Sequence, residues 1–568
     1  MMIEEIRKKI CNALRLLYSS YNEIETINIE INRTMDKSHG DLYTNIAMKL
    51  AKIVKKSPLS IAEEIRDHIT LDNEIIKIES VAPGYINFFI STKKKYDHIN
   101  TILNSKDNLI KKADNTKNIH VEYVSANPTG PLHIGHGRGM ILGEVTAKFL
   151  SYQGHSIQRE YYVNDAGRQI DLLLVSVLLC HLGRNKHVFI DEMSNDNGHP
   201  VTYKGNYVND VASSLSHDLE KFDKDSVLKL LNQPIDSLIS FLKKHKSYLE
   251  IRNSLVNIII YDYIEKDLLA VGINFDSWFK ESRLYETGLL DEVLSNIKNK
   301  NLSYSKDGAL WFKNTQFGDD KDRVLIKKNG DMTYFATDIA YHVYKFKNHD
   351  LLVDIWGADH HDYAQRLRTA LKALDYDVDN RLQIHLVQFA NLYKSGQSIS
   401  MSTRSGEFYP IQQLVADIGR DATKFYYLIK KKEQHLEFDV DQAGEENKNN
   451  PIYYIQYAHA RITKILRDLN SEKVSEEDYN NLISKNEIEI LGIVEKYQET
   501  LNKAIFEIRP DIITNYLYKL SKVFHSYYAE TKILTEDIRG ERVKLVQCVD
   551  KIILDGLKVL NIEPMDSM

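Results

Sequence analysis

The chain has few cysteines, no long apolar run and little net charge. Its three cysteines among 568 residues are scattered and form no CxxC pair, so we expect neither disulfide bonds nor a cysteine zinc site. No segment approaches the ~18 consecutive apolar residues of a membrane-spanning helix. The first residues, MMIEE, do not resemble a signal peptide. We therefore expect a cytoplasmic protein that does not bind membranes.

Size and composition indicate a multidomain globular protein. At 568 residues the chain exceeds what one hydrophobic core supports, so we expect about three or four domains. A content of 43% hydrophobic and 27% charged residues is typical of soluble globular proteins. Because the net charge is only −6, a nucleic-acid partner would have to meet local basic patches and not a global field.

The two ends of the chain differ from its middle. The N-terminal region mixes helical patterns with a strand-like segment, Tyr85–Ile90, and is followed by a polar stretch, Ser105–Lys117, typical of a linker. Residues 218–270 predict a long, mainly helical insertion. From residue 450 onward helix follows helix, and one of them carries a single apolar stripe. The stripe consists of Ile513, Tyr516, Leu517, Leu520, Phe524 and Tyr527.

The middle of the chain predicts a parallel sheet. Alternating apolar residues at 119–124 predict a strand, and the helical spacing at 141–150 predicts the helix that follows it. Apolar runs return at 351–356 and 382–386. Each of these runs ends in a polar loop, as in parallel sheets that bind ligands at the carboxyl ends of their strands.

The first of these loops carries His133, Gly135 and His136 at the start of the predicted helix. Free N–H groups and the helix dipole favour an anion there, and two imidazoles can donate hydrogen bonds to charge that develops on a phosphate. Gly135 would let an adenine ring lie against bare backbone. The alternative interpretation is two ordinary histidines at a helix start.

The second loop contains Gly357 and Asp359. A carboxylate after a glycine at a strand end can accept both ribose hydroxyl protons, while the glycine permits close approach. The alternative is a surface aspartate beside two solvated histidines. A metal site at His360, His361 and Asp362 is disfavoured because adjacent residues rarely point at one ion, so no dedicated metal site is predicted.

The third loop, Lys394–Gly406, consists largely of small and polar residues with two glycines, which predicts a mobile flap over phosphates. In this order and spacing, the three loops resemble those of class I aminoacyl-tRNA synthetases, and specifically arginyl-tRNA synthetases. The resemblance covers nearly the whole chain. Its most specific part is the HIGH-type box His133–His136, preceded by SANPTGP and followed by NDAG at Asn164–Gly167. Further matching segments are Tyr203–Tyr207, Asp307–Trp311, Phe317–Leu325, Met401–Gly406 and Tyr453–Arg461.

The resemblance implies an α/β fold. It consists of a Rossmann-type parallel-sheet catalytic domain with an inserted domain, an N-terminal α+β appended domain that meets the tRNA elbow, and a C-terminal all-α anticodon-binding domain. The expected limits are 1–95 for the appended domain, 96–117 for a linker, 118–410 for the catalytic domain with its insertion at about 185–300, 411–449 for a connecting region that contacts the tRNA stem, and 450–568 for the anticodon-binding domain.

The resemblance also implies a reaction. Such an enzyme joins L-arginine to ATP as arginyl-adenylate with loss of pyrophosphate, then transfers the arginyl group to the 3′-terminal ribose of tRNA(Arg). The family needs tRNA for the first step, Mg²⁺ arrives with the ATP, and we expect a monomer. Because the arginine carboxylate is the nucleophile, catalysis depends on alignment and charge stabilisation.

Residue roles follow from the matching motifs. His133 and His136 match the pair that contacts the reacting phosphate, Asp359 lies where the ribose is held, and backbone at Met401 and Ser402 lies near the adenine. Gly135 and Gly357 belong to the same ATP site. The residues expected to bind arginine are Glu122 and Asn127 near the amino-acid head group, Tyr334 over the side chain and Asp338 on the guanidinium.

Alternatives to these roles remain. Glu122 could be a surface carboxylate of an edge strand and Asp338 a solvated helix residue. The resemblance places Tyr453, Tyr457 and Arg461 against anticodon-loop bases. Tyrosines at helical spacing are also typical of a helical core.

One departure from the family concerns positive charge. Many class I enzymes have Lys-Met-Ser-Lys-Ser in the mobile loop, but here Ser400 and Thr403 occupy the lysine positions. Some arginyl enzymes carry a lysine just before the HIGH box, where this chain has Gly130. The remaining candidates to neutralise the leaving pyrophosphate are Arg404, Lys394 and the Mg²⁺ carried by ATP, and Arg404 is favoured because it lies inside the matching motif.

Two other functions stay open. A small-molecule adenylyltransferase would use the HxGH site alone, but would not need the N-terminal and C-terminal regions. An inactive RNA-binding paralogue would keep those regions and lose the chemistry, as the missing lysines could suggest.

Overall fold

The computed structural model of the chain describes residues 2–21, 24, 26–34, 36–105, 109–184, 202–399, 401–402, 407–469, 482, 484–535 and 538–567. The chain forms two compact units. The first combines Met1–Asp107 with Lys464–Tyr497 and Val523–Ile552, and the second combines Asn108–Thr463 with Gln498–Lys522 and Ile553–Met568.

The N-terminal part of the first unit is a small α+β structure. Its strands form an antiparallel sheet in the order β1-β2-β4-β3, and the predicted strand Tyr85–Ile90 is confirmed as β4. Buried side chains from its helices and sheet form one hydrophobic core. The strands are β1 (Asn32–Arg33), β2 (Leu42–Thr44), β3 (Ile75–Val81) and β4 (Tyr85–Ile90), and the helices are α1 (Met2–Tyr18), α2 (Ile46–Val54), α3 (Pro58–Asp67) and α4 (Thr92–Asn104).

Helix α4 crosses the expected boundary between the N-terminal domain and the linker. The expected linker began at residue 96, but residues 96–104 belong to this helix. The helix is held by buried apolar side chains at helical spacing, among them Tyr96, Ile99 and Ile102. The polar residues after Asn104 lack such a pattern, and 109–117 form no regular element.

The second unit is built around a parallel sheet in the order β12-β11-β5-β6-β7. A smaller antiparallel sheet has the order β10-β9-β8, and β13 pairs with β14 and β17. The strands are β5 (Asn118–Glu122), β6 (Ser156–Val163), β7 (Ser277–Lys280), β8 (Ser303–Lys306), β9 (Ala309–Phe312), β10 (Arg323–Ile326), β11 (Leu351–Gly357), β12 (Leu382–Val387), β13 (Ala390–Lys394), β14 (Gln397–Ser398), β15 (Met401–Ser402), β16 (Glu407–Phe408) and β17 (Leu436–Asp439).

Helices connect the strands and follow the sheet. Between α11 and α12 the chain forms a π-helix at Ile259–Ile264. The helices up to residue 443 are α5 (Ile134–Tyr152), α6 (Arg168–His181), α7 (Asn206–Ser214), α8 (Ser216–Leu219), α9 (Lys224–Leu230), α10 (Ile235–Lys243), α11 (Tyr248–Ile258), α12 (Glu265–Ala270), α13 (Ser282–Glu286), α14 (Leu289–Asn299), α15 (Tyr334–Asn348), α16 (His361–Ala373), α17 (Val378–Arg381), α18 (Ile411–Ile418), α19 (Arg420–Leu428) and α20 (Val440–Ala443).

The central strands have apolar side chains that are buried on both faces, as parallel sheets require. Val121 and Val353 are neighbours in register and both are fully buried. Helix α5 packs closely because it is rich in glycine: a Cβ at Gly143 would lie 2.2 Å from the ring of Tyr123. The three strands and the helix predicted from apolar periodicity are confirmed as β5, β11, β12 and α5.

Strand β7 corrects the expected end of the insertion. The insertion was expected to run to about residue 300, but Ser277–Lys280 pairs with β6 in the central sheet. The segment reads Ser-Trp-Phe-Lys, which is too short and too mixed in polarity to stand out as a buried strand. The insertion therefore returns to the sheet about twenty residues earlier than expected.

The C-terminal region is helical, as expected. Its helices are α21 (Pro451–Asp468), α22 (Lys485–Val494), α23 (Tyr497–Phe506), α24 (Pro510–Glu530) and α25 (Arg539–Val559). The predicted apolar stripe lies on α24, where Leu517, Leu520 and Phe524 are fully buried. The limits of the two units fall inside α21, α24 and α25.

Candidate active site

The HxGH segment forms the start of α5. His133 is the N-cap residue, and its Nδ1 accepts a hydrogen bond from the Gly135 N–H at 3.1 Å. His136 reaches back so that its Nδ1 accepts the His133 N–H at 3.2 Å. The two rings lie 4.1 Å apart, centroid to centroid. Each histidine thus satisfies one backbone donor of the helix start and holds the other ring in place.

These contacts fix the tautomer of both rings. Because each Nδ1 accepts a hydrogen bond, the proton of each neutral ring is on Nε2. Burial lowers the pKa of His133 to about 4 and that of His136 to about 3. Both rings are therefore neutral near pH 7 and present an Nε2–H donor, which suits an anionic phosphate oxygen.

A cavity of about 160 Å³ lies between this helix start and the carboxyl ends of β11 and β12. Gly135 and His136 line it on one side, and Trp356, Gly357 and Phe389 line it on the other. Its walls thus come from two of the three loops predicted from the sequence. The cavity lies where parallel α/β sheets bind nucleotides.

Asp359 follows this cavity in a short 3-10 helix, Ala358–His360. Its carboxylate is 59% exposed, and the nearest basic atom is His360 Nε2 at 3.7 Å. Among the described residues, Asp359 has no closer ion-pair partner than His360, so its exposed carboxylate beside Gly357 is open to a ligand. The position fits the predicted ribose contact but does not test it.

The predicted Tyr-x-x-x-Asp element lies on the first turns of α15. Thr333 caps the helix: its hydroxyl accepts the Ala336 N–H at 3.4 Å and donates to the Val324 carbonyl at 2.7 Å. Tyr334 is 57% exposed, whereas Asp338 is half-buried and its carboxylate accepts the Tyr363 hydroxyl. Burial raises the pKa of Asp338 above its ordinary value. The carboxylate thus has an internal partner, unlike that of a solvated helix residue.

Buried polar atoms lie near Asp338. Glu281 is only 5% exposed, and the hydroxyl of Tyr162 lies beside its carboxylate and lowers its pKa. Within the described part of the chain, neither Glu281 Oε2 nor Asn164 Oδ1 has a partner that meets the geometry of a hydrogen bond. Asn164 Nδ2 donates to Asn127 Oδ1 at 3.2 Å. Buried acceptors are costly when unpaired, so these atoms indicate a pocket for a ligand rich in donors.

Glu281 is the residue that sequence reasoning missed. It follows β7, the strand that the apolar pattern did not reveal. Burial, together with the nearby carboxylates of Asp338 and Asp165, raises the pKa of Glu281 to about 7, although the Tyr162 hydroxyl opposes this shift. Two neighbouring carboxylates away from bulk water would attract a guanidinium, whose five donors form a fixed fork.

Glu122 lies in a buried ionic network beneath this pocket. It is on a central strand, not an edge strand, so the alternative of a surface carboxylate is wrong. Its Oε2 accepts Lys345 Nζ at 2.8 Å, and its Oε1 accepts the Ser125 hydroxyl at 3.0 Å. Lys345 also donates to Asp354 Oδ1 at 2.8 Å. Although burial opposes the charge, Asp354 and Glu122 raise the pKa of Lys345, which stays cationic.

The network continues towards the predicted guanidinium ligand. Asp354 Oδ2 lies 2.9 Å from His342 Nε2, and His342 Nδ1 lies 2.8 Å from the backbone oxygen of Asp338. Lys345, Asp354 and His342 thus connect Glu122 to the helix turn that carries Asp338. No sequence motif revealed these side chains.

The mobile-loop predictions fall partly outside the described residues. Met401 and Ser402 form β15, which pairs with Phe408 and Glu407 of β16. Arg404 lies in the sequence between β15 and β16, among the residues that the structure does not describe. Of the alternative cations, Lys394 donates to the carboxylate of Asp417 and to the Tyr409 hydroxyl at 3.0 Å. Lys394 is therefore already engaged.

The predicted tRNA contacts form a ladder along α21. The rings of Tyr453 and Tyr457 are 6.0 Å apart and nearly parallel. The guanidinium of Arg461 lies 4.1 Å from the centroid of the Tyr457 ring and donates to its hydroxyl at 2.9 Å. All three side chains are half-buried, so they are not core residues. Flat aromatic and guanidinium surfaces suit unstacked bases.

Among the described residues, no helix combines the length and apolar character needed to cross a membrane. No group of three or more histidine, cysteine, aspartate or glutamate side chains is arranged there to hold a metal ion.

Comparison with known proteins gives matches along the whole chain. Residues 98–473 match the family model of the catalytic domain of class I (R) tRNA synthetases. Residues 455–568 match the DALR anticodon binding domain, and residues 4–90 match the arginyl tRNA synthetase N terminal domain.

Individual relatives agree with these models. The arginine–tRNA ligase of Hydrogenovibrio crunogenus is 38% identical over 573 residues, with 95% of each chain covered. That of Thioalkalivibrio sulfidiphilus is 37% identical, also with 95% of each chain covered. The structure of Thermus thermophilus arginyl-tRNA synthetase covers all of both chains with a TM-score of 0.71 at 20% identity, which supports the fold. The chain therefore belongs to the arginyl-tRNA synthetase family of class I aminoacyl-tRNA synthetases.

Proposed function

We propose that this protein is an arginine–tRNA ligase. The observation that carries the proposal is the pair of neighbouring carboxylates Asp338 and Glu281, where Glu281 Oε2 has no well-aligned donor among the described residues. A guanidinium supplies those donors and the matching charge. The relatives that cover nearly the whole chain are named arginine–tRNA ligases, which supports the same substrate.

In the first step, one oxygen of the arginine carboxylate attacks the α-phosphorus of ATP. The new oxygen–phosphorus bond forms as the bond to the pyrophosphate oxygen breaks, and pyrophosphate leaves with the electron pair. In the second step, a hydroxyl of the 3′-terminal ribose of tRNA(Arg) attacks the arginyl carbonyl, loses its proton and releases AMP. Both steps need alignment of bound groups and no covalent intermediate with the protein.

His133 and His136 stabilise the charge of the first step. Their Nε2–H groups donate to phosphate oxygens as charge shifts towards the leaving pyrophosphate. Because both rings are neutral near pH 7, they donate without competing for a proton. Gly135, Gly357 and Asp359 hold the adenosine, with backbone at Met401 and Ser402 near the adenine.

The arginine side chain occupies the pocket next to α15. Asp338 and Glu281 bind the guanidinium, Tyr334 covers the aliphatic part of the side chain, and Glu122 and Asn127 lie near the amino-acid head group. Lys345 positions Glu122 in this proposal. Its Nζ donates to Glu122 Oε2 at 2.8 Å, while Glu122 Oε1 accepts the hydroxyl of Ser125 in the loop.

Arg404 neutralises the leaving pyrophosphate in this proposal. Lys394, the other candidate in the loop, is held by Asp417 and Tyr409. Mg²⁺ enters bound to the phosphates of ATP and is part of that substrate. We expect Arg404→Ala to slow adenylate formation by ~10²-fold, the usual effect of removing one charge-stabilising donor. An unchanged rate would reject this assignment.

The remaining regions bind tRNA. Residues 450–568 recognise the anticodon loop, with Tyr453, Tyr457 and Arg461 stacking on its bases, and residues 1–95 contact the tRNA elbow. Residues 411–449 contact the stem. We further propose that the protein acts as a monomer in the cytoplasm.

Arginine-dependent exchange of pyrophosphate into ATP tests the proposed function. Measured with and without tRNA(Arg), exchange that needs both arginine and tRNA is the expected result. Exchange without any amino acid would point to a small-molecule adenylyltransferase. No exchange under any condition would point to an RNA-binding protein that lacks the chemistry.

A further inference from the structure

A buried aspartate in the insertion contacts the segment that carries the HxGH box. Asp267 lies on α12 and is only 2% exposed. Its Oδ2 accepts the Leu132 N–H at 2.6 Å, and its Oδ1 accepts Gln412 Nε2 at 2.7 Å. No lysine, arginine or histidine forms an ion pair with Asp267 within the described ranges. Burial raises the pKa of this carboxyl to about 6, so it is mainly ionised at pH 7.

The two residues that donate to Asp267, Leu132 and Gln412, lie next to two different loops of the proposed active site. Leu132 immediately precedes His133, the first histidine of the nucleotide loop. Gln412 is the second residue of α18, the helix that begins after the mobile loop. Asp267 therefore contacts the segments next to both loops from a third element, and it is not among the residues that line the cavity at the start of α5.

The backbones of these two loops are also joined directly. Ile134 N–H donates to the Tyr409 carbonyl at 3.1 Å, and Ile411 N–H donates to the Leu132 carbonyl at 3.1 Å. His133 and Pro410 form an antiparallel bridge between them. The base of the mobile loop is thus fixed next to the phosphate-binding histidines, and the Leu132 N–H next to this junction donates to Asp267.

We propose that Asp267 is a positioning residue that holds the HxGH loop and the base of the mobile loop in register for attack on the α-phosphorus. The inference rests on the proposed function. The carboxylate supplies two acceptors for two amide donors on separate segments, which an apolar side chain cannot do. Without the Asp267 carboxylate, the Leu132 N–H and the Gln412 side-chain amide both lose their acceptor. Leu132 directly precedes His133, the N-cap residue of α5.

The inference predicts a specific kinetic change. The two donors to Asp267, Leu132 and Gln412, do not belong to the proposed arginine pocket, which is formed by residues near α15 and β7. Misplacing a reacting group by ~1 Å costs ~10²-fold in rate. We therefore expect Asp267→Ala to lower the kcat of arginine-dependent exchange by ~10²-fold, with the arginine KM within ~3-fold of the wild type.

A conservative variant separates positioning from charge. In Asp267→Asn the amide oxygen can still accept the Leu132 N–H, and the amide nitrogen can donate to Gln412 after its side chain turns over. We expect this variant to retain most of the wild-type kcat. Thermal unfolding of all variants shows whether each one is folded under the assay conditions.

A matched pair on α18 tests the inference even if Asp267→Ala does not fold. Gln412 and Gln413 are adjacent and both are exposed, but only Gln412 donates to Asp267, whereas Gln413 Nε2 donates to Asp417 at 2.8 Å. We expect Gln412→Ala to lower kcat by ~10-fold, because one hydrogen bond that positions the loops is lost. We expect Gln413→Ala to leave kcat unchanged.

Three results would overturn the inference. They are an unchanged kcat in Asp267→Ala with only a lower melting temperature, an arginine KM that rises as much as kcat falls, and equal effects of Gln412→Ala and Gln413→Ala. A wild-type chain that shows no arginine-dependent exchange would contradict the proposed function itself, which is a distinct outcome.

Discussion

At the scale of single residues, the proposed arginine site rests on two neighbouring carboxylates, Asp338 and Glu281. Asp338 accepts one phenol hydroxyl, and Glu281 Oε2 has no well-aligned donor among the described residues. A lysine ammonium is a point charge, but a guanidinium presents donors in a plane that can satisfy two carboxylates together. The pocket is therefore suited to arginine and poorly suited to its uncharged analogue citrulline.

Replacing one of these carboxylates tests their role. We expect Asp338→Asn to raise the arginine KM by ~10²-fold, because a charge-assisted pair is lost, while the ATP KM stays nearly unchanged. Steady-state exchange kinetics measure both constants. Asp331→Asn, which changes an exposed acid shortly before the same helix, is the matched control. An unaltered arginine KM in Asp338→Asn would remove this carboxylate from the pocket.

The raised pKa of Glu281 predicts that arginine binding depends on pH. With a pKa of about 7, Glu281 is largely protonated in the empty pocket at pH 6, and a bound guanidinium requires the charged form. Arginine binding therefore releases a proton below pH 7, so the arginine KM falls as pH rises through this range and levels off above it. The limiting slope is about tenfold per pH unit.

The same pH series has an internal control. Asp338, whose pKa burial also raises, shifts the profile in the same direction. Glu281→Gln should therefore flatten most of the dependence and raise the arginine KM at pH 8. If the arginine KM of the wild type were constant between pH 6 and pH 8, Glu281 would not be the titrating ligand.

Sequence reasoning found the residues that belong to motifs and missed those that do not. Asp338 and the two histidines stand in recognisable spacings. Glu281, Asp267 and Lys345 stand in segments with no such spacing, and their importance comes from burial and from partners far away in the chain. The identity of neighbouring residues in the sequence does not indicate contacts between distant parts of the chain.

At the scale of elements, α15 orients the arginine pocket. The helix begins at Tyr334, and Asp338 lies one turn later, so any loosening of its first turn displaces both residues. The Thr333 hydroxyl satisfies the Ala336 N–H and also donates to the Val324 carbonyl. Thr333 therefore connects the helix start to β10 as well as capping it.

Removing this cap should loosen the first turn. We expect Thr333→Ala to cost about 1 kcal/mol of local stability, the usual worth of an N-cap. Amide hydrogen exchange at 333–340 should then be ~5-fold faster than in the wild type. Thr287→Ala, which changes an exposed threonine at the end of α13, is the control. Equal exchange rates at 333–340 in Thr333→Ala and the wild type would contradict the role of the cap.

The strands that sequence reasoning located carry apolar runs, and two of them, β5 and β11, are largely buried. Strands β5, β11 and β12 contain apolar runs that few other structures produce. Strand β7 was not located, because its pairing with β6 and its aromatic contacts, such as Trp278 stacked on Tyr161 at 4.7 Å, replace an apolar run. Residues 96–104 of α4 fell within the expected linker, 96–117.

At the scale of the whole molecule, the residues of the proposed nucleotide site and of the proposed arginine site lie in one compact unit, on the carboxyl-end side of one parallel sheet. The ladder of Tyr453, Tyr457 and Arg461 belongs to the same unit. The order of these parts along the chain was predictable from motifs, but the division into units depends on contacts between distant segments.

The central claim is that this chain attaches arginine to tRNA. Its most direct test is the transfer of radiolabelled arginine to tRNA(Arg) by the full-length protein, followed as acid-precipitable label. We predict ATP-dependent charging with arginine that competing unlabelled arginine suppresses, that citrulline does not suppress, and that Asp338→Asn nearly abolishes at low arginine concentration. Absence of charging by the folded wild-type protein, or suppression by citrulline as strong as that by arginine, would contradict the account.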